Sequence, residues 1–140
     1  MVETSARLFD EVVVAALINP SKGDGLFDLD ERMGLLDDCF DHLPNVSTTS
    51  FDGLVVDLAR ELGADFIIKG LRAVSDFESE LQMAQMNSAI SGVETIFLPT
   101  ASRRSFLASR LIREVARLGG DVSTMVPDPV SRRLADRFTS

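Results

Sequence analysis

The 140-residue chain has one cysteine, Cys39, one histidine, His42, and only two lysines, Lys22 and Lys69. A lone cysteine excludes an internal disulfide, and here it reads as a helix residue near the core. With a single histidine beside it, there is no His/Cys set at metal-ligand spacing. Positive charge is scarce altogether, the formal net charge being −8. A phosphate backbone or an anionic membrane requires a basic stripe, so both are excluded as general partners, and any anion site must be local. No apolar run reaches the roughly 18 residues of a membrane span. The N-terminal MVETSARLFDE lacks the basic-then-apolar order of a secretory signal, so a cytoplasmic location is expected. The length suits one domain with a single core.

What is present is an alternation of apolar runs and amphipathic stretches. EVVVAALINP, residues 11–20, is a β-branched run closed by Asn19-Pro20 and predicts a strand buried on both faces. Asp28, with Glu31 three residues on, predicts a capping box opening a helix to about Phe40. Asn45 to Ser50 predicts a second strand. Leu54, Val55, Leu58 and Leu62 step at helical spacing, and Gly63 supplies the C-terminal cap. DFIIK, residues 65–69, predicts a third strand, and Ser75 with Glu78 a second capping box opening a helix with Phe77, Leu81 and Ala84 on one face. VETIFLP predicts a fourth strand. Ser105 is expected to open a helix with Leu107, Leu111, Val115 and Leu118 on its apolar face, stopped by Gly119-Gly120. A last helix carries Val130, Leu134 and Phe138. Strands alternating with helices imply an α/β, Rossmann-like, doubly wound and largely parallel sheet. The start is anomalous: residues 2–8 read as the end of a helix with no strand ahead of it, whereas such folds usually open on a strand.

The few cations are not scattered. Lys22 and Lys69 each fall at or just after the C-terminal end of a predicted strand, Arg72 follows the second, and Arg103 and Arg104 follow the fourth strand directly before Ser105. In open parallel sheets, ligands bind outside the carboxyl ends of the strands, so three segments deliver cations to one rim. A helix N-terminus there would add unpaired N–H donors and a favourable dipole. The combination suits a polyphosphate or nucleotide. Taken singly, each cation also fits a surface role: Lys69 can snorkel from a strand end, and Arg72 can pair with Asp76 or Glu80. Arg110, Arg113 and Arg117 fit a solvated helix face.

KGLRAVSDFESELQMAQMN, residues 69–87, resembles phosphopantetheine adenylyltransferase of bacterial coenzyme A synthesis. The likeness extends through FDEVVVAALINPSK before it and REVARLGGDVSTMVPDPV after it, nearly the whole chain. The resemblance implies a Rossmann-like nucleotidyltransferase that moves AMP from ATP onto 4′-phosphopantetheine, giving dephospho-coenzyme A and pyrophosphate, as a cytoplasmic homohexamer with Mg²⁺. By the same resemblance Lys22 and Lys69 hold substrate, the backbone around Val55 contacts the pantetheine arm, and Gly70, Leu71 and Arg72 with Glu80 meet ATP. Arg104, Ser105, Phe106, Leu107, Ala108, Ser109 and Arg110 would form the loop that wraps the nucleotide.

Two departures stand out. The family's first strand and its GxFDPxTxGH turn, source of a nucleotide-binding threonine and a transition-state histidine, have no counterpart, and Met1 falls in the helix expected to follow that turn. His42, at the end of a different helix, is not a replacement. The family's SFISSS loop reads SFLASR here, with Ala108 and Arg110 in place of hydroxyls and Arg104 in place of an aromatic residue. Three functions follow as expectations: an adenylyltransferase whose missing strand lies upstream in the reading frame, a non-catalytic relative that binds nucleotide or coenzyme A, and a transferase for another nucleotide or phosphorylated acceptor. The missing strand would be central in its sheet, and its loss would cost many kcal/mol at roughly 25 cal/mol per Å² of exposed apolar area.

Overall fold

A computed structural model describes residues 1–18, 25–72, 74–100 and 108–138, with the side chains of 74–76 left aside. The elements run α1 (Val2–Leu8), β1 (Val12–Ile18), α2 (Leu29–Phe40), β2 (Val46–Asp52), α3 (Val55–Leu62), β3 (Phe66–Leu71), α4 (Val74–Ser91), β4 (Glu94–Pro99), α5 (Ser109–Arg117) and α6 (Asp128–Phe138). Strand and helix alternate as the sequence requires, and the architecture is Rossmann-like α/β. Both strand pairs are parallel, β1 with β2 in the register Val12↔Val46 to Ile18↔Asp52, and β3 with β4 from Phe66↔Glu94 to Leu71↔Pro99. Among the described residues the strands form two parallel two-stranded sheets. The expectation of a first strand buried on both faces is corrected. β1 pairs along one edge only, so its side chains lack a second row of neighbours; Ala16 alone is buried and Ile18 is exposed.

Local chemistry explains most boundaries. Asp28 accepts from the Glu31 amide at 2.8 Å, and Glu31 accepts from the Asp28 amide at 3.1 Å, the reciprocal box that satisfies two orphan donors of α2. α3 stops at Gly63, whose φ of 64° is left-handed backbone that a β-carbon disfavours. α4 begins at Val74, one residue ahead of Ser75, so the expected cap residue lies inside the helix. α5 begins at Ser109, four positions beyond Ser105, with Ala108 as its N-cap. Its buried side is also not the expected one. Ile112 and Ala116 face inward, while Leu111, Val115 and Leu118 are exposed.

α1 orients the two sheets. Its C-terminus is capped by Asn45, whose amide nitrogen donates to the carbonyls of Ala6 at 2.8 Å and Phe9 at 3.0 Å. Phe9, three residues ahead of β1, meets Phe66 at the start of β3 with ring centroids 6.2 Å apart. At the other end of the helix Met1 reaches the finish of β3, since a β-carbon on Gly70 would stand 3.0 Å from Met1 Sδ. The helix therefore runs back along β3 against the strand direction. One apolar cluster joins α3 to β3 through Val56, Ala59 and Ile67. A second, built on Ile112, Ala116, Val122 and Leu134, joins α5 and α6 and takes in Leu26 and Phe27 from ahead of α2.

Candidate nucleotide site at the end of β3

β3 ends in Lys69, Gly70 and Leu71, and α4 opens after Arg72 and Ala73, so strand and helix are joined by two residues. Thr100, just past β4, donates to the Leu71 carbonyl from both its amide and its hydroxyl, each at 2.9 Å. The backbone at Gly70 is approached closely from two sides: a β-carbon there would lie 3.0 Å from Met1 Sδ and 3.2 Å from Thr100 Cγ2. Glycine allows the neighbouring chain to sit against it.

Lys69 pairs in register with Phe97, and Phe77 from the first turns of α4 meets Phe97 edge-on at 6.1 Å. The Lys69 ammonium lies 3.8 Å from a Glu80 carboxylate oxygen, both side chains being about one-third exposed, at 36% and 34%. That separation is too long for a hydrogen bond. The attraction is Coulombic, and it does not consume the three N–H donors of the ammonium. Glu80 is thus a local counter-charge for one of the chain's two lysines. Arg72, directly after the strand, is exposed.

Val55 is the first residue of α3 and packs on the cluster that contains Ile67, two positions before Lys69. The structure brings Lys69 and Glu80 together beside Gly70 and Leu71. Among the described residues no side chain caps the start of α3 or of α5, in contrast with the capped α2. Ala108, Ser109 and Arg110 occupy the cap and first turn of α5, with Ser109 and Arg110 exposed. Lys22, Arg104, Ser105, Phe106 and Leu107 lie outside the described residues. His42 sits between α2 and β2, within 3.5 Å of Glu3 and 3.9 Å of Asp41. Its side chain is about half exposed and lies beside these two acids. The contacts of Met1 and Thr100 with the Gly70 segment were not expected from sequence; the Pro99-Thr100 end of the fourth run was the available signal for the second of them.

A family model described as cytidylyltransferase-like matches residues 1–115. The chain belongs to the cytidylyltransferase-like family. Membership carries nucleotidyl transfer as the general chemistry, and the cation at a parallel-strand end is placed where such folds bind nucleotides. The matched span takes in β1 to β4 and most of α5, and ends before α6. Among the described residues no helix is long and apolar enough to cross a membrane.

Proposed function

We propose that the chain is a phosphopantetheine adenylyltransferase module, transferring AMP from ATP to 4′-phosphopantetheine with release of pyrophosphate. The observation that carries this reading is the Lys69–Glu80 pair at the end of β3, followed without interruption by Gly70, Leu71 and Arg72. In the proposed reaction a phosphate oxygen of the acceptor attacks the α-phosphorus of ATP. A new O–P bond forms as the bond to the β-phosphate oxygen breaks, and its electron pair leaves on pyrophosphate. The attacking group is already an anion, so no strong base is needed. The protein's work is to hold two anionic reactants in line and to offset charge on the leaving group. Lys69 would hold the acceptor, Gly70 to Arg72 and the start of α5 the ATP, and Val55 the pantetheine arm; Lys22 and the residues from Arg104 to Leu107 join by resemblance alone. Among the described residues no group of three or more Asp, Glu, His or Cys side chains could hold a metal ion, so Mg²⁺ enters this proposal only as a counter-ion brought by the ATP phosphates.

The same reading places an extended strand beside β1 and β3, each of which pairs on one side only among the described residues. Sequence ahead of Met1 would supply it, along with the histidine that His42 does not replace. A hexamer is part of the proposal; the exposed Met83, Met86 and Ile90 on α4 support burial against another copy. A second reading, nucleotide or coenzyme A binding without turnover, is favoured by the position of His42 and by Ala108 and Arg110 in the α5 entry.

The test is pyrophosphate release from ATP and 4′-phosphopantetheine by the 140-residue chain and by a form extended with the residues encoded in frame upstream. The extended form is expected to turn over and the shorter one hardly at all. Robust turnover by the shorter chain would remove the need for the upstream histidine. An extended form that binds both substrates without turnover would establish the second reading.

A further inference from the structure

Outside the rim, the strongest long-range polar contact joins the last helix to the start of α2. Arg137 Nη2 lies 2.6 Å from both carboxylate oxygens of Glu31, across 106 residues of sequence. Its guanidinium carbon also stands 5.7 Å from the centre of the Phe27 ring. Glu31 is the acid of the α2 capping box, accepting from the Asp28 amide. One carboxylate thus serves both the helix start and the pair with α6. Beneath it, Leu26 and Phe27 pack with Val130 and Phe138 of α6 onto Ile112, Ala116 and Leu134. The same small core therefore receives α5, whose first turn carries Ser109 and Arg110, and residues 25–28, which follow Lys22 by a few positions.

We infer that α6 is a brace that couples the entry of α2 to the entry of α5, with Arg137 as its positioning residue acting through Glu31 and Phe27. The ligand it serves, ATP, rests on the adenylyl-transfer reading above. Guanidinium chemistry suits the task, because a planar cation can meet a carboxylate and an aromatic face together, whereas an ammonium serves mainly as a point charge. α6 lies beyond the span matched by the family model.

The test uses the full chain with Arg137→Ala, Arg137→Lys and Glu31→Gln, at a temperature where circular dichroism shows each folded. Amide hydrogen exchange is followed by peptide, and MgATP affinity by calorimetry. Arg137→Ala is expected to speed exchange in 25–32 and in 108–117 together and to weaken MgATP about three- to tenfold, the size of a coupling through packed neighbours. Arg137→Lys, which keeps the charge but loses the planar fork, should recover only a minor part of either effect. Faster exchange confined to α6 with unchanged affinity would overturn the inference. If the unaltered chain binds no MgATP, the adenylyl-transfer reading fails separately. The exchange result then decides the brace alone: paired acceleration supports it and acceleration confined to α6 refutes it.

Discussion

Neutralising Glu80 should tighten the site rather than loosen it. Two unit charges at the 3.8 Å seen between Lys69 and Glu80 attract by about 4 kcal/mol at an effective dielectric of 20 and about 1 kcal/mol in water. With both groups about one-third exposed, the net worth of the pair falls to roughly 0.2–1 kcal/mol. Glu80→Gln should therefore lower the unfolding free energy by less than about 1 kcal/mol. The same figure bounds the competition that a phosphate must overcome, so Glu80→Gln should strengthen 4′-phosphopantetheine binding by up to about fivefold. Lys69→Ala should do the opposite and more strongly. A charge-assisted contact is worth about 1.5–3 kcal/mol, or roughly 10- to 150-fold in affinity. Because Glu80 acts through Lys69, the double variant should bind no better than Lys69→Ala alone. Isothermal calorimetry on the four proteins, with thermal unfolding in parallel, supplies the cycle. Wild-type affinity in Lys69→Ala would return both residues to surface charge. A tenfold loss in Glu80→Gln would instead make the carboxylate a ligand contact.

Other outcomes follow from packing and caps. Asn45→Ala strips two carbonyls at the end of α1 of their donor and should cost about 1–3 kcal/mol in chemical denaturation; no measurable loss would show that water replaces the cap fully. Gly120→Ala sets a β-carbon 2.5 Å from Val115 Cγ1 and 3.1 Å from the Val115 carbonyl oxygen. It should destabilise by about 1–3 kcal/mol, and a neutral result would mean that the half-exposed Val115 simply turns away. Burial, aided by the nearby Asp38 charge, pushes the Cys39 thiol above its ordinary pKa, so less of it is thiolate at pH 8 than for an unperturbed cysteine. Iodoacetamide at that pH should modify Cys39 more slowly than a small free thiol, and urea should abolish the difference.

The parts of the fold legible in sequence are those decided by residues close together in the chain. The Asp28–Glu31 box and the Gly63 stop depend on neighbours three or four positions apart, and both stand where their chemistry put them. The face of α5 was not legible, because Leu111, Val115 and Leu118 have the right period but α6 docks on Ile112 and Ala116 instead. Helical spacing specifies a stripe, and a partner helix chooses which stripe is covered. In the site, Lys69 stood out as a rare charge at a strand end, whereas Glu80 was marked only by the resemblance, and the structure sets the two 3.8 Å apart. The contacts of Met1, Thr100 and Asn45 join chain segments 29 to 69 positions apart, which no local pattern encodes.

The approach of Met1 to Gly70 also has a practical side. Whatever is joined ahead of Met1 starts beside the strand end that carries Lys69. A purification tag fused directly to Met1 would start close to Lys69, and an acidic one would present its own charges to it. Affinities measured with such a fusion would describe the tag as much as the protein, so tag-free material is the form in which this rim should be titrated.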